Sequence, residues 1–381
     1  MHPSNLSTPT SVQDLDPKPL QNLPHDLIGE ILSRLPVKSL LRFRCVSKSW
    51  LSLISSRQFI QTHLIISSNE DAYTNHSLIF SSGYSSFNLK WSALQSALNA
   101  SPLQTTDFNC PMKYSPKSVT AIMGSCNGLV CIGIDNRNLY LWNPSIRKFN
   151  KLPDSGFKYI SFVLFGFGYD KLNDDYKVIG IGNTEVKLYS WKTNSWKIIE
   201  GYNYARPLPQ QCAFVDGKLH FIVNTYLDIE DSYLPKIVSF DLANEAFGEV
   251  GIPNQDFSER SLGVLGGCLS HLNFILEYNG VDVWIMKEYG VRESWIKEDF
   301  VPFSYMPFGF LHCTPVFSSK NGKILLKLGR DLMLYNSKSR SVLKYSEIQT
   351  KGCDIKIDIS WDCDSGGDIY VKVGRVSVTM K

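Results

Sequence analysis

Five short segments of the chain repeat one pattern, and that pattern limits what the chain can fold into. Each is a strand-like run ending in a large side chain, then a polar turn, then a bulky apolar residue. Four copies are LYLWNPSIRKF, VKLYSWKTNSW, IVSFDLANEAF and LMLYNSKSRSV. Their anchor aromatics are Trp142, Tyr189, Phe240 and Tyr335, and Phe149, Trp196, Phe247 and Val342 follow at +7. VDVWIMKEYGVRESW is a fifth copy with a longer turn, from Trp284 to Trp295. A weaker first copy, SSFNLKWSAL, contributes Phe87 and Leu94. From Phe87 onward the anchors are spaced 55, 47, 51, 44 and 51 residues apart.

A period near 50 residues is that of four-stranded blades in a kelch-like β-propeller. A second apolar run precedes each anchor: NGLVCIGI, YKVIGI, GKLHFIV, LNFILEY and GKILLKL. Asn127-Gly128, Asp216-Gly217 and Asn321-Gly322 stand before three of them, and such pairs suit hairpin turns because both residues tolerate φ > 0. The spacing therefore predicts blades of strand, hairpin, strand, turn and strand. Aromatics at a fixed period are expected to form the packing between blades rather than a ligand-stacking surface.

In front of the repeats stands LPHDLIGEILSRLPVKSLLRFRCVSKSW, residues 23–50, whose periodicity is helical. Pro24 suits a helix start, and Asp26 favours the positive end of the helix dipole. Leu27, Ile28, Ile31, Leu32 and Leu35 fall on one helical face. Pro36 ends that helix and can open the next, which carries Val37, Leu40 and Leu41. Ser47 is placed to cap a third helix with Trp50, Leu51, Leu53 and Ile54, and SRQFIQTHL predicts a fourth. A unit of about 40 residues seldom builds a sufficient core alone. It is either a cap on the β-part or a docking module for another protein, and composition does not separate the two.

Composition excludes several classes. The net charge is +3 over 381 residues, too small to argue for nucleic acid. No run reaches the ~18 apolar residues of a membrane span. The first residues, MHPSNLSTPTSVQDLDPKPLQ, lack a basic start followed by an apolar block and read as a disordered leader. Nine scattered cysteines, an odd number mostly in apolar runs, suit reduced thiols in the cytoplasm or nucleus.

The helical segment closely resembles the F-box of plant F-box proteins. The matching residues are Leu23, Pro24, Leu27, Glu30, Ile31, Leu32, Arg34, Leu35, Pro36, Ser39 through Arg42, Cys45 through Trp50, Leu53 and Ile54. The resemblance implies a Skp-type adaptor as partner and, through it, a cullin ubiquitin ligase. It implies an adaptor face made of Leu23, Pro24, Leu27, Ile31, Leu35, Pro36, Leu40, Val46 and Trp50. Residues 23–60 hold Arg34, Lys38, Arg42, Arg44, Lys48 and Arg57 against Asp26 and Glu30, a net +4. That charge either steers docking on an acidic adaptor or is a solvated basic face.

The β-part resembles the F-box-associated, kelch-like domain of the same family. GSCNGLVCI, LYLWNPSIRKFNKLP, FGFGYDKLNDDYKVIGI, VKLYSWKTNSWK and IVSFDLANEAFGEV carry the resemblance, over roughly residues 78–345. It implies that the propeller recognises the protein to be ubiquitinated. The tail departs from the family, because DIKIDISWDCDSGGDIYVKVGRVSVTMK continues with a hairpin pattern that either closes the ring or adds a blade edge.

Few residues suggest chemistry. Asp362, Asp364 and Asp368 lack the distal Glu of a calcium loop and read as a tight turn. GFGYDK lacks the Gly pattern of a phosphate loop, and Asp174 with Asp175 reads as a hairpin turn. No catalytic residue, cofactor or metal is expected. The substrate site is expected on loops at one face of the ring. The candidates are residues 200–211, 227–235 and 302–312, with Tyr202, Tyr204, Tyr305, Phe308 and Phe310 as contact aromatics.

The sequence thus predicts a small N-terminal all-α F-box helical bundle followed by an all-β kelch-like β-propeller. The expected division is a leader over 1–20, an adaptor-binding unit over 21–65, a propeller over 66–350 and a β-hairpin tail over 351–381. The expected function is the substrate-recognition subunit of a Skp–cullin–F-box ubiquitin ligase, itself non-catalytic, without membrane or nucleic-acid partners. A non-proteolytic interaction protein and a propeller enzyme such as a glycosidase are the alternatives.

Overall fold

The protein is described by a computed structural model over residues 23–69, 76–81, 89–99, 103, 105–107, 120–134, 138–158, 163–205, 207, 212–227, 232–253, 260–303, 313–328, 331–347 and 370–375. Residues 1–22, including the expected leader, lie outside the described residues, as do Phe87 and most of the tail.

Four helices lead: α1 (His25–Ser33), α2 (Val37–Phe43), α3 (Lys48–Ser55) and α4 (Arg57–Asn69). Both prolines stand just outside a helix and offer their carbonyls to it. Pro24 O accepts from Ile28 N at 3.1 Å, and Pro36 O accepts from Ser39 N at 2.9 Å. Ser47 caps α3, its Oγ accepting from Trp50 N at 3.1 Å. Leu32, Val37, Leu40, Ile54 and Phe59 form a small core, with Ile28, Leu35, Leu41, Phe43, Trp50 and Leu53 packed around it. His63, buried on α4, makes a 3.0 Å hydrogen bond between Nε2 and Leu35 O, which ties α4 to the end of α1.

The β-part is a six-blade propeller of four-stranded antiparallel sheets. Blade 2 uses Thr120–Cys126, Leu129–Ile134, Asn138–Asn143 and Lys148–Lys151; blade 3 uses Leu164–Asp170, Asp175–Ile181, Val186–Ser190 and Ser195–Ile199. Blade 4 uses Ala213–Val215, Lys218–Leu227, Ser232–Asp241 and Ala246–Val250. Blade 5 uses Arg260–Leu265, Cys268–Ile275, Gly280–Met286 and Trp295–Pro302, and blade 6 uses Cys313–Ser318, Lys323–Leu328, Asp331–Asn336 and Ser341–Glu347. Blade 1 combines His76–Ser81, Leu89–Ala93 and Thr106–Asp107 with Tyr370–Arg375, which pairs antiparallel with His76–Ser81. Tyr370–Arg375 takes the innermost position of that sheet, and the six innermost strands touch in a closed ring. Such closure leaves only short, protected edges.

The anchor pattern is now explained. Trp142 pairs with Phe149, Tyr189 with Trp196, Phe240 with Phe247 and Tyr335 with Val342, across the third and fourth strands of their blades. The +7 spacing is the one residue left in the strand, a four-residue turn and the return to register. Each turn ends in a left-handed residue, Arg147, Asn194, Glu245 or Arg340, with φ from 50° to 55°. Asn143 and Asp241 begin two of these turns, and each carboxamide or carboxylate oxygen accepts from two turn N–H groups. Asn127-Gly128 and Asp216-Gly217 have positive φ at both residues, as the two-residue hairpin requires.

Two copies depart from the expectation. Trp295 pairs with Met286, not Trp284, because this strand runs two residues past Trp284 before its turn, and Trp284 faces Lys297. Trp284 lies two residues before Met286 on the same pleat face and packs in the same cluster. Leu94 is not in a fourth strand. It opens a short helix, α5 (Leu94–Leu98), whose apolar side fills the gap between blades 1 and 6.

The anchors pack inward and backward. Tyr189 joins a cluster with Leu129, Leu141 and Phe165, and Tyr335 joins one with Leu272, Val281 and Val301. The aromatic series is thus inter-blade core.

Candidate interaction surfaces

Antiparallel strands alternate in direction, so every blade places its turns on two faces. Turns joining first to second and third to fourth strands lie on one face, called near. Connections from second to third strand and between blades lie on the opposite, far face. The helical unit touches the near face: Arg57, first residue of α4, forms a 3.0 Å ion pair with Asp174 in the first near-face turn of blade 3.

The helical unit leaves part of its apolar surface outside. On α1, Ile28 and Leu32 turn inward, while Leu27 and Ile31 are 45% and 51% exposed, and Leu23, just before the helix, is 54% exposed. Leu27 and Ile31 stand four residues apart on a second stripe of the helix. Val46, before α3, is 60% exposed, and Pro24 and Pro36 are exposed. Leu35 and Trp50 are half-buried, Trp50 standing edge-on to Phe43 at 5.5 Å. Leu40 is 0% exposed at the centre of the core. It offers no surface to a partner, so its place in the adaptor face is corrected. Sequence periodicity put Leu40 on an apolar stripe without showing that the stripe closes on α3 and α4. Leu51 and Ile65 are exposed as well and were not singled out. These side chains leave apolar surface in water on a small unit.

The basic residues are partly committed. Arg34 pairs with Glu30 at 2.9 Å and Arg57 with Asp174, so neither is a free cation for steering.

All three candidate loops join strands at the far face. Tyr202 and Tyr204 were expected as contact aromatics. They are half-buried, with ring centroids 5.1 and 6.3 Å from Phe247 on the outer strand of blade 4. Burial pushes the Tyr202 hydroxyl up, and that hydroxyl donates to Ala205 O at 2.6 Å. This pair behaves as the connection between two blades. Tyr305, Phe308 and Phe310 lie outside the described residues.

The second and third strands of blade 4 stand out at this face. They pair over ten residues, to Leu227 opposite Ser232, against five in blade 3 and six in blade 5. At about 3.4 Å per residue the hairpin reaches about 15 Å beyond its neighbours.

Three sets of buried polar groups have structural partners. His220 bridges Ala213 O at 3.1 Å and the Tyr289 hydroxyl at 2.8 Å, and burial holds its pKa down at about 4. Lys177 lies between Asp170 and Glu245, 3.0 Å from each, and donates to Leu242 O at 2.6 Å, joining blades 3 and 4. Asp174 and Asp175 point apart: Asp174 takes Arg57 and the Tyr169 hydroxyl, Asp175 takes Ser190 and Lys192 N. This separation is that of a turn and not of an acid–base pair. Among the described residues, no group of three or more His, Cys, Asp or Glu side chains could hold a metal ion. No described helix is long and apolar enough to cross a membrane.

Comparison with known proteins assigns both parts. Residues 20–62 match the F-box domain, and residues 76–326 match the F-box associated beta propeller domain. The propeller match stops inside blade 6, whereas the observed ring continues to Glu347 and includes Tyr370–Arg375. An F-box/kelch-repeat protein of Arabidopsis thaliana is 32% identical over 335 residues, covering 83% of this chain and 88% of that protein. The F-box protein CPR1 of the same plant is 31% identical over 372 residues, covering 86% of each. Another Arabidopsis thaliana F-box protein is 30% identical over 370 residues, covering 86% of this chain and 85% of its own length.

Proposed function

Because the chain belongs to the F-box proteins that carry an F-box-associated β-propeller, we propose that it is the substrate receptor of a Skp–cullin–F-box ubiquitin ligase. In this reading the helices dock on a Skp-type adaptor and the propeller holds the protein to be modified. The observation that carries it is the second stripe of α1, where Leu27 and Ile31 stay exposed, with Leu23 just before the helix, while the inner stripe already fills the core. Leu23, Pro24, Leu27, Ile31, Pro36 and Val46 form the adaptor face, with Leu35 and Trp50 supporting it from their half-buried positions.

The substrate engages the far face, on the loops over 200–211, 227–235 and 302–312, with the blade 4 hairpin as the projecting element. Loops over a rigid scaffold are the usual place for recognition. The protein acts by proximity. It makes bond chemistry unnecessary within its own chain by raising the effective concentration of substrate lysines at the ligase. It is non-catalytic and works in the cytoplasm or nucleus.

The test is co-precipitation from plant cells with the proteasome blocked, wild type against a Leu27→Asp, Ile31→Asp double variant. Wild type brings down the adaptor and cullin and the variant does not, while a protein held by the propeller accompanies both. An adaptor retained by both forms, or by neither, overturns the reading. Turnover of the shared partner separates a degradative receptor from a non-proteolytic one.

A further inference from the structure

Helix α4 is attached to the propeller at both of its ends. Its C-terminal residue, Asn69, is seven residues from His76, a connection of at most about 25 Å. His76 opens the second-position strand of blade 1 opposite Arg375, and such strands start at the near face. At the other end, Arg57 reaches Asp174 on the near face of blade 3. The 13 residues between span about 20 Å. The helix is therefore fixed to blade 3 at its first residue and tethered by the chain to blade 1 beyond its last.

The acceptor for Arg57 is held in place before the contact is made. Asp170 Oδ1 accepts from Leu172 N and Asn173 N, each at 3.0 Å, and Asn173 Nδ2 donates to Asp170 Oδ2 at 2.8 Å. Buried Lys177 fixes Asp170 in turn. Asp174, at φ 52°, ends the turn and accepts from the Tyr169 hydroxyl while Oδ2 faces Arg57. The donor side is equally fixed, because Phe59 and His63 of α4 are buried against the helical core. Holding α4 thus holds the whole helical unit.

We propose that α4 is a strut and that Arg57 and Asp174 are positioning residues: their ion pair sets the orientation of the adaptor face relative to the propeller's far face. This rests on the receptor reading for its purpose, but the contact is measured on the free chain. An exposed ion pair adds little to folding stability. Its effect here is on orientation, since it joins the helical unit to the near face at a point away from the covalent connection to blade 1.

Single-molecule energy transfer tests this on the full-length protein, with dyes attached through non-natural residues at exposed Ser52 and Tyr278. Wild type gives one narrow efficiency peak. Arg57→Glu broadens and shifts that peak, Asp174→Asn does so less, and the Arg57→Glu, Asp174→Arg exchange restores it. Thermal unfolding stays unchanged in all of them, as an exposed pair allows, so the shift of the peak reports orientation and not loss of fold. A wild-type peak already broad, singles that match wild type, or an exchange that fails to restore the peak overturns the strut. Adaptor capture run on the same samples keeps this outcome separate from the receptor reading: loss of capture in wild type sinks the reading without touching the transfer result.

Discussion

The helical unit and the propeller draw on the same large apolar residues and use them in opposite ways. In the propeller each repeated aromatic is enclosed between neighbouring blades; Trp142, Tyr189, Phe240 and Tyr335 are all fully buried. In the helical unit one apolar stripe closes a core of five buried residues, and a parallel stripe one residue away stays in water. A ring of six blades has a neighbour for every face. A bundle of four short helices does not, and its second stripe is stable only because the first already holds the fold. The buried anchors of the ring are therefore structure, whereas the outer side of α1 is apolar surface left in water.

The largest effect expected from this comparison is loss of an anchor. Phe240 is wholly enclosed among Ile179, Phe221, Val238 and Leu242 at the junction of blades 3 and 4. Phe240→Ala should cost about 3–5 kcal/mol, through the transfer term and the cavity left behind. Urea unfolding measures it. A loss under about 1 kcal/mol would mean that the anchors are not what closes the blades.

Next comes a pH effect confined to the propeller. His220 titrates at about 4 in the folded protein, below its usual 6.5, because burial disfavours the imidazolium. The unfolded chain takes up its proton near 6.5, and the folded one does not until about 4. Stability is complete above 6.5 and falls as pH drops through that window, by about 3 kcal/mol in all. Below it, Asp170 and Glu245 continue the loss. Burial alone would raise their pKa values, but hydrogen bonds from Asn173, Lys177 and Lys197 outweigh it and hold both low. His220→Gln should flatten the profile between pH 6.5 and 4 and leave the lower part in place. An unchanged slope would remove His220 from the acid response.

Much of this division was legible in the sequence, and the reason is periodicity. A strand–turn–strand unit fixes the +7 spacing locally, so Trp142 and Phe149 announce their own pairing. The prolines and Ser47 announce helix ends for the same reason. Failures came where a partner distant in sequence decides. Leu40 and Ile31 look alike in a helical pattern, and only the packing of α3 and α4 tells which is covered. Tyr202 and Tyr204 look like a loop surface until Phe247, about 40 residues later, is seen to receive them. Trp284 looks like an anchor, yet its strand runs on to Met286 before the turn, and Met286 is the residue that faces Trp295. Arg57 read as one more cation of a basic face, because nothing near it in sequence points to Asp174.

A smaller effect tests the helical side of the comparison. Ser47→Ala removes the oxygen that accepts from Trp50 N and should cost about 1 kcal/mol. Because Trp50 and Leu53 hold α3 on the core, the loss should appear as fraying of the helical unit while the propeller unfolds unchanged. Hydrogen exchange resolved by segment separates the two. Equal loss of protection in both would mean that they unfold as one body.

The smallest expected change is the most informative. Leu27→Gln with Ile31→Gln replaces two half-exposed apolar side chains by a good helix former. If the outer stripe of α1 is an interface and no part of the core, unfolding of the free chain shifts by no more than about 0.5 kcal/mol. Capture by the adaptor falls at the same time by about 30-fold or more, as removal of two central apolar contacts does at an interface. A stability loss above about 2 kcal/mol would put these side chains inside a packed core, and the two regions would then use their apolar residues alike. Unchanged stability with unchanged capture would keep the stripe outside the core but overturn its reading as the adaptor face. Only the pairing of silent stability with lost binding preserves the contrast between a ring that encloses its repeated anchors and a helix that leaves an apolar stripe open.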